Sequence, residues 1–334
     1  MSIRQDWNDR MFGEFNLIDK YFSARQTQRK DVHLALGDDC AIVKAPEGVR
    51  IAISTDTLVA GTHFLADANP AWVAHKALAS NISDLAAMGA TPAWVSMALT
   101  LPSIDEAWLK PFCDAFFDLA NYYNIQLIGG DTTKGPLSIS LTVQGFVPDK
   151  RALTRSGAKV GDWIYVTGEL GDSQAGLSVV LDAEKRHEPF ALELEKRHYI
   201  SHPRVLAGQA LLNVASSAID ISDGLIADLK HILNRSQVGA SIDTSLLPIS
   251  KELMQFLGDI SVAQKCALTS GEEYELCFTV PEQNKGSLES VLAHTGTKVT
   301  CIGQIRPHGT FELHNKSKKL NWSLEGYDHF KADV

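Results

Sequence analysis

Five short words set an aspartate beside glycine, serine or threonine: Gly37-Asp38-Asp39, Ser54-Thr55-Asp56, Ser83-Asp84, Gly130-Asp131-Thr132-Thr133 and Asp220-Ile221-Ser222-Asp223-Gly224. Two follow short apolar runs, Ile51-Ala52-Ile53 and Ile125-Gln126-Leu127-Ile128. Acids placed where strands end, with no nucleophile–base pair beside them, point to hard-cation binding and not to covalent catalysis. Mg²⁺ takes oxygen ligands and completes its shell with water and substrate phosphate, so these residues describe a magnesium–nucleotide enzyme. A single Asp beside Gly is ordinarily a turn former, because Asp tolerates the left-handed region and bonds its own backbone. Asp39, Asp149 and Asp162 are read in that way. Repetition beside hydroxyls carries the metal reading, since Ser54, Thr55, Thr132 and Thr133 add further hard oxygens.

The usual phosphate devices are missing. The sequence holds no G-x-x-x-x-G-K-[ST] loop, no kinase H-R-D or D-F-G set, and no G-x-G-x-x-G after a strand. G-x-S-x-G is absent as well, and the five cysteines (40, 113, 266, 277 and 301) form no C-x-x-C pair. They read as free or buried thiols. Arg155, in Ala152-Leu-Thr-Arg155-Ser-Gly-Ala158, is either a solvated loop cation or a guanidinium fork for nucleotide phosphate. His63, in Ala60-Gly-Thr-His-Phe64, fits a satisfied structural histidine as well as a ligand. Glu272, Glu273 and Glu275 surround Tyr274; if Gly271–Phe278 is a strand, Glu273 and Glu275 share a face with Cys277 and need a partner there. A non-catalytic module that only binds a divalent metal or nucleotide would carry much the same residues.

The elements that must position these groups are legible as periodicity. A helix is expected over 12–24, with Phe15, Ile18 and Phe22 on one face, then a strand at 49–54 and an Ala-rich helix from Pro70 to about Met88 that Gly89 ends. Asp84 near that helix's carboxyl end is unfavourable against the dipole unless a cation is bound. A strand at 94–101, a helix over 104–123, a strand at 125–128 with a Gly-Gly-Asp turn, and an alternating strand at 137–147 complete an α+β domain. Pro148-Asp149-Lys150 marks a boundary, giving domains 1–148 and 149–334. The second half reads as mixed α/β: a strand at 162–167, helices over 203–217 and 224–235, a strand at 239–243, a helix near 250–257, a strand at 274–280, a helix near 283–294 and a strand at 298–305. The tail Gly326-Tyr-Asp-His-Phe330 is aromatic enough to be docked. A formal charge of −9 argues against nucleic acid as a partner. The charged amino terminus and the lack of a membrane-length apolar run lead to an expectation of a cytoplasmic protein without a membrane partner.

Taken in order, Gly37–Ala41, Ser54–Phe64, Asn81–Ala90, Leu127–Thr133, Ala152–Ala158, Ile219–Leu225, Gly271–Phe278 and Gly326–Phe330 resemble the bacterial thiamine-monophosphate kinases. The resemblance runs from about residue 12 to residue 330; Cys40 and Glu273 stand where that family commonly has Ala and Asp. It implies the aminoimidazole-ribonucleotide synthetase-like fold: an amino-terminal α+β domain that pairs with its copy to close a β-barrel across a homodimer, and a mixed α/β carboxyl-terminal domain. It also implies ATP as co-substrate, several Mg²⁺ ions, and conversion of thiamine monophosphate to thiamine diphosphate. By motif match, Asp38, Ser54, Thr55, Asp56, Asp84, Asp131, Asp220 and Asp223 would hold metal, with Asp56 and Asp131 central to catalysis. Gly130, Asp131, Arg155 and Ser222 would meet ATP, and His63, Glu272 and Trp322 the thiamine phosphate.

Overall fold

The computed structural model describes residues 21, 22, 28–324, 326 and 327. The helix expected over 12–24 therefore lies largely outside the described residues, as do Asp328, His329 and Phe330 of the tail. The chain divides into two compact units. Described residues up to Glu47, with Ile53–Asn81 and Pro92–Gly145, make the first; Gly48–Ala52, Ile82–Thr91 and the described residues from Phe146 onward make the second.

The first unit begins with a two-stranded antiparallel ribbon, β1 (Val32–Leu34) and β2 (Ile42–Val43). Then come β3 (Val49–Val59), α1 (Pro70–Ala87), β4 (Thr91–Leu101), α2 (Glu106–Tyr122), β5 (Gln126–Lys134) and β6 (Ser138–Pro148), of which the start of β3, the end of α1, Thr91 and the end of β6 count with the second unit. The last four strands form one sheet in the order β3-β6-β4-β5, with β4 and β5 parallel. Asn69 starts α1 by accepting from the Ala71 N–H at 3.0 Å, and Pro70 costs no hydrogen bond in the first turn. Asp105 caps α2 on Ala107 N at 2.9 Å, and Leu109, Phe112, Cys113, Phe116, Phe117 and Ala120 make its buried stripe.

Two strands run further than expected. The strand expected at 49–54 continues to Val59, and the one expected at 125–128 continues through Gly129, Gly130 and Asp131 to Lys134. Asp56 and Asp131 thus lie inside strands, and Gly-Gly-Asp is no turn. The reason is at Gly130, paired with Met97 of β4: a Cβ there would fall 1.9 Å from the Met97 carbonyl oxygen. Glycine lets the two backbones approach, so a residue type that signals a turn here extends a parallel ladder.

The second unit is built on a seven-stranded sheet in the order β13-β12-β9-β11-β7-β10-β8, antiparallel except for the β12–β9 pair. Its strands are β7 (Trp163–Thr167), β8 (Ser217–Asp220), β9 (Gly239–Asp243), β10 (Leu276–Val280), β11 (Val299–Arg306), β12 (Phe311–Asn315) and β13 (Lys318–Leu320). Between them run α3 (Asp172–Leu181), α4 (Ala191–Tyr199), α5 (Val205–Leu211), α6 (Leu225–Ser236), α7 (Lys251–Leu257), α8 (Ile260–Thr269), α9 (Glu282–Lys285) and α10 (Leu288–Leu292). Ile164, Val166, Ile219, Ile221, Leu229, Ile242, Cys277 and Ile302 form the centre of its core.

The helix expected over 203–217 stops at Leu211, because Ser217 already pairs with Thr279 in the sheet. The strand expected from 274 begins at Leu276. Gly208 sets α5 against the end of α1; a Cβ there would sit 1.9 Å from the Ala86 carbonyl oxygen. All five cysteines are free thiols, Cys113 and Cys277 being buried. Among the described residues, no helix is long and apolar enough to cross a membrane.

Candidate active site

In the first unit, strand alternation sorts the expected residues. Ser54 and Asp56 are half-buried on one face of β3, while Ile51, Ile53, Thr55 and Thr57 are exposed on the other. The Thr55 hydroxyl bonds Thr142 at 2.9 Å and Thr57 bonds Ser140 at 2.8 Å, both across to β6. The structure therefore joins Ser54 with Asp56 and separates the Thr55 side chain from them. Asp56 is fixed through its main chain: its N–H donates to Asn81 Oδ1 at 3.2 Å, and Asn81, fully buried on α1, donates to the Ala77 carbonyl at 2.9 Å. Gly130 and Asp131 are exposed near the middle of β5, Asp131 lying opposite Ala98. Asp38 is exposed and accepts the Asp39 N–H at 2.9 Å. His63 Nδ1 accepts the Val59 N–H at 3.0 Å, which places the ring proton on Nε2. The buried Lys76 donates to the His63 carbonyl at 3.1 Å.

In the second unit, Asp220 ends β8, is 5% exposed and accepts from Ser83 Oγ at 2.8 Å. Burial first, and then the charge of Asp84, raise its pKa well above the usual carboxylate range. After β8 the chain turns through Ser222 and Asp223. The N–H groups of Ser222, Asp223 and Gly224 all donate to Asp228 Oδ2, at 3.0, 3.0 and 3.1 Å. Asp228 is buried in the first turn of α6, and burial outweighs those bonds, pushing its pKa up to about 7. The Gly271–Glu275 segment is laced to the same turn: Glu272 N donates to Ser222 O at 2.7 Å and Tyr274 N to Ile221 O at 2.9 Å. Tyr327 N donates to Asp223 O at 3.0 Å, so the described part of the tail is docked there.

This segment is not a strand, and its acids do not share a face. Glu272 and Tyr274 have φ of 57° and 54°, a left-handed geometry unfavourable for side chains of this size. The three glutamates take three separate partners. Glu273 accepts the Gly171 and Ser173 N–H groups at 2.8 and 3.2 Å, Glu275 pairs with Arg204 Nε at 2.7 Å, and Glu272 lies 3.6 Å from His198. Arg155 is exposed on a loop that Ser236 fastens through the Gly157 and Ala158 N–H groups, at 3.1 and 3.2 Å. Trp322 is half-buried against the core, with the Lys265 ammonium 5.2 Å from its ring centroid. Asp162 accepts from Lys159 N and Ser216 Oγ, at 3.0 and 2.6 Å, a turn role. The sequence motifs gave no role to Asn81, Ser83 or Asp228, although Asn81 and Ser83 stand in the same word as Asp84.

The donor set fits Mg²⁺ in its chemistry. Carboxylates and hydroxyls are hard ligands, and a cation beside Asp84 and Asp220 would relieve the like-charge cost that disfavours ionised Asp220. Among the described residues, no three His, Cys, Asp or Glu side chains converge as a ready-made metal group. The remaining coordination positions would fall to main-chain and hydroxyl oxygens, water and substrate phosphate.

Comparison with known proteins identifies this architecture. The family models for the amino- and carboxyl-terminal domains of AIR synthase related proteins match residues 37–147 and 159–315, so both halves are of that class. Thiamine-monophosphate kinase of Escherichia coli K12 is 55% identical over 325 residues, covering 95% of this chain and 98% of that protein. A crystal structure of thiamine-monophosphate kinase from Stenotrophomonas maltophilia K279a superposes with a TM-score of 0.83 at 40% identity, covering 92% of this chain and 98% of that one. AaThiL complexed with AMPPCP and TMP superposes with a TM-score of 0.75 at 31% identity, covering 95% and 97%. The chain belongs to the thiamine-monophosphate kinase family.

Proposed function

We infer that these oxygen-rich segments serve one reaction, ATP + thiamine monophosphate → ADP + thiamine diphosphate. The observation that carries this reading is 55% identity to a thiamine-monophosphate kinase along nearly the whole of both chains. The AaThiL complex with AMPPCP, an ATP analogue, and TMP supports ATP as the donor and thiamine monophosphate as the acceptor.

Both reactants are anionic phosphates, and their approach is opposed by Coulomb repulsion. Mg²⁺, when bound, supplies the positive charge that offsets this repulsion and that stabilises an in-line transfer. The chain's part is to hold that charge in place. Asp38, Ser54, Asp56, Asp84, Asp131, Asp220 and Asp223 are the side chains assigned to it; Thr55 can contribute only through its main chain. Gly130, Asp131, Ser222 and the exposed Arg155 are assigned to ATP, Arg155 as a guanidinium fork on phosphate. The acceptor atom is a phosphate oxygen, deprotonated at neutral pH, so no general base is required of the protein. His63, Glu272 and Trp322 are assigned to the thiamine phosphate, where an acid and an indole suit a cationic heterocycle.

The purified protein, given Mg-ATP and either thiamine monophosphate or free thiamine, should yield thiamine diphosphate from the monophosphate alone. Phosphorylation of free thiamine, or ADP release independent of the acceptor, would refute the assignment.

The same reading puts the domain seam at 148/149, the protein in the cytoplasm, and a second copy of the chain against the open face of β3. Ile51 and Ile53, 44% and 66% exposed on the open face of β3, support the homodimer, since apolar side chains aligned on a sheet face call for a cover. Sedimentation should give a dimer mass; a monomer at micromolar concentration would refute that part.

A further inference from the structure

Ser173, His198 and Glu272 stand in a row that the reaction above does not use in full. Ser173 Oγ lies 3.0 Å from His198 Nδ1, and His198 Nε2 lies 3.6 Å from Glu272 Oε2. Ser173 and His198 are each 2% exposed, whereas the Glu272 side chain is 27% exposed, so the row runs from the interior to a carboxylate that solvent reaches. The order resembles a hydrolytic triad, but a serine this deeply buried offers no reacting substrate a path. Its chemistry is that of a support.

Three elements hold the row. Ser173 is in the first turn of α3 and His198 in the last turn of α4. Gly176 lets these helices touch: a Cβ there would fall 2.1 Å from the Leu194 carbonyl oxygen and 2.9 Å from His198 Cβ. The His198 ring meets Tyr199 edge-on at 80°. Glu272 is held from the other side, its N–H bonded to Ser222 O at 2.7 Å and its φ in the left-handed region at 57°. An unfavourable backbone of this kind persists only where the surroundings impose it.

The proton arrangement follows from the neighbours. A carboxylate beside Nε2 disfavours a bare lone pair there, so Nε2 carries hydrogen. Ser173 Oγ can then donate to Nδ1, which leaves the ring neutral and the full negative charge on Glu272. The Ser173 carbonyl, 3.2 Å from Nδ1, can only accept and serves the charged ring.

We propose that His198 is a positioning residue for the acceptor site: its Nε2–H aims the Glu272 carboxylate at the cationic heterocycle of thiamine monophosphate, with Ser173 setting the tautomer. This rests on the reading that Glu272 faces the acceptor. The 3.6 Å between His198 Nε2 and Glu272 Oε2 is longer than a hydrogen bond, and the proposal requires it to shorten when thiamine monophosphate binds.

The test uses two amides that each copy one ring nitrogen. His198→Gln keeps a donor near the Nε2 position, and His198→Asn keeps one only near Nδ1. In steady-state kinetics of the full-length enzyme, His198→Asn should raise the KM for thiamine monophosphate about tenfold, the loss expected for one hydrogen bond to a charged group. The KM for ATP should hold, and His198→Gln should recover most of the acceptor KM. Equal loss in both variants, with the ATP KM and the melting temperature moving together, would make the role structural and overturn the proposal. Glu272→Gln is measured alongside. If its acceptor KM rises while His198→Asn stays at wild type, the proposal alone fails; if its acceptor KM is unchanged, the reading beneath fails too. Should His198→Asn not fold, Ser173→Ala keeps the Ser173 N–H bond to Glu273, and an unchanged acceptor KM there would overturn the proposal.

Discussion

On the proposed assignment, Asp56 and Asp131 contribute charge to the reaction and little to the fold. Asp131 is exposed and Asp56 half-buried, and the bond from the Asp56 main-chain N–H to Asn81 survives a change of side chain. Asparagine keeps the shape and removes the charge. Asp56→Asn and Asp131→Asn should each lower kcat by roughly 10²-fold or more, with melting temperatures within about 2 °C of wild type. Turnover near wild type in either variant would contradict the assignment. These acids were legible because Asp beside Gly, Ser or Thr is a local pattern. Their supports were not, because each acts through distance along the chain: Asn81 meets Asp56 across 25 positions and Ser83 meets Asp220 across 137. A serine on an Ala-rich helix gives no sign of such a partner.

At the scale of elements, long helices such as α1, α2 and α6 could be read from apolar spacing, and β9 was placed at its observed bounds. Reading failed where a partner strand decides. Gly129 and Gly130 looked like a turn and are strand, since β4 supplies the ladder. Glu273 and Glu275 looked like strand and are not, since Gly171, Ser173 and Arg204 draw them in different directions. Helix α4 (ALELEKRHY) has too few apolar residues to announce itself. Glu273 carries a prediction at this scale, because its carboxylate closes the amino-terminal end of α3. Burial raises its pKa to about 8, against the opposing bonds from Ser270, Gly171 and Ser173, with the charge of Asp172 adding to the rise. The folded chain therefore keeps a proton that the unfolded chain releases. That contribution is complete below the ordinary value of 4.5 and is lost as pH rises through about 8. Glu273→Gln keeps an acceptor for the same N–H groups and cannot ionise. Between pH 5 and 8 its melting temperature should fall less than that of wild type, by about 2–4 °C. Parallel profiles would show that Glu273 is ionised throughout.

At the scale of the molecule, the order of elements was enough to read an α+β half followed by a mixed α/β half. The exchange of Gly48–Ala52 and Ile82–Thr91 into the second unit was not legible, because it depends on which backbone each short segment packs against. Net charge poses the central physical problem. A chain of formal charge −9 must bring together two further anions, and its assigned site adds carboxylates to them. On the proposed reading, bound cation reverses the field locally. The most direct measurement is thiamine diphosphate formed from ATP and thiamine monophosphate, followed by chromatography after chelation of divalent ions and again after Mg²⁺ is restored. The account predicts no product above background under chelation and full recovery with Mg²⁺. Steady product formation in the chelated sample would contradict it.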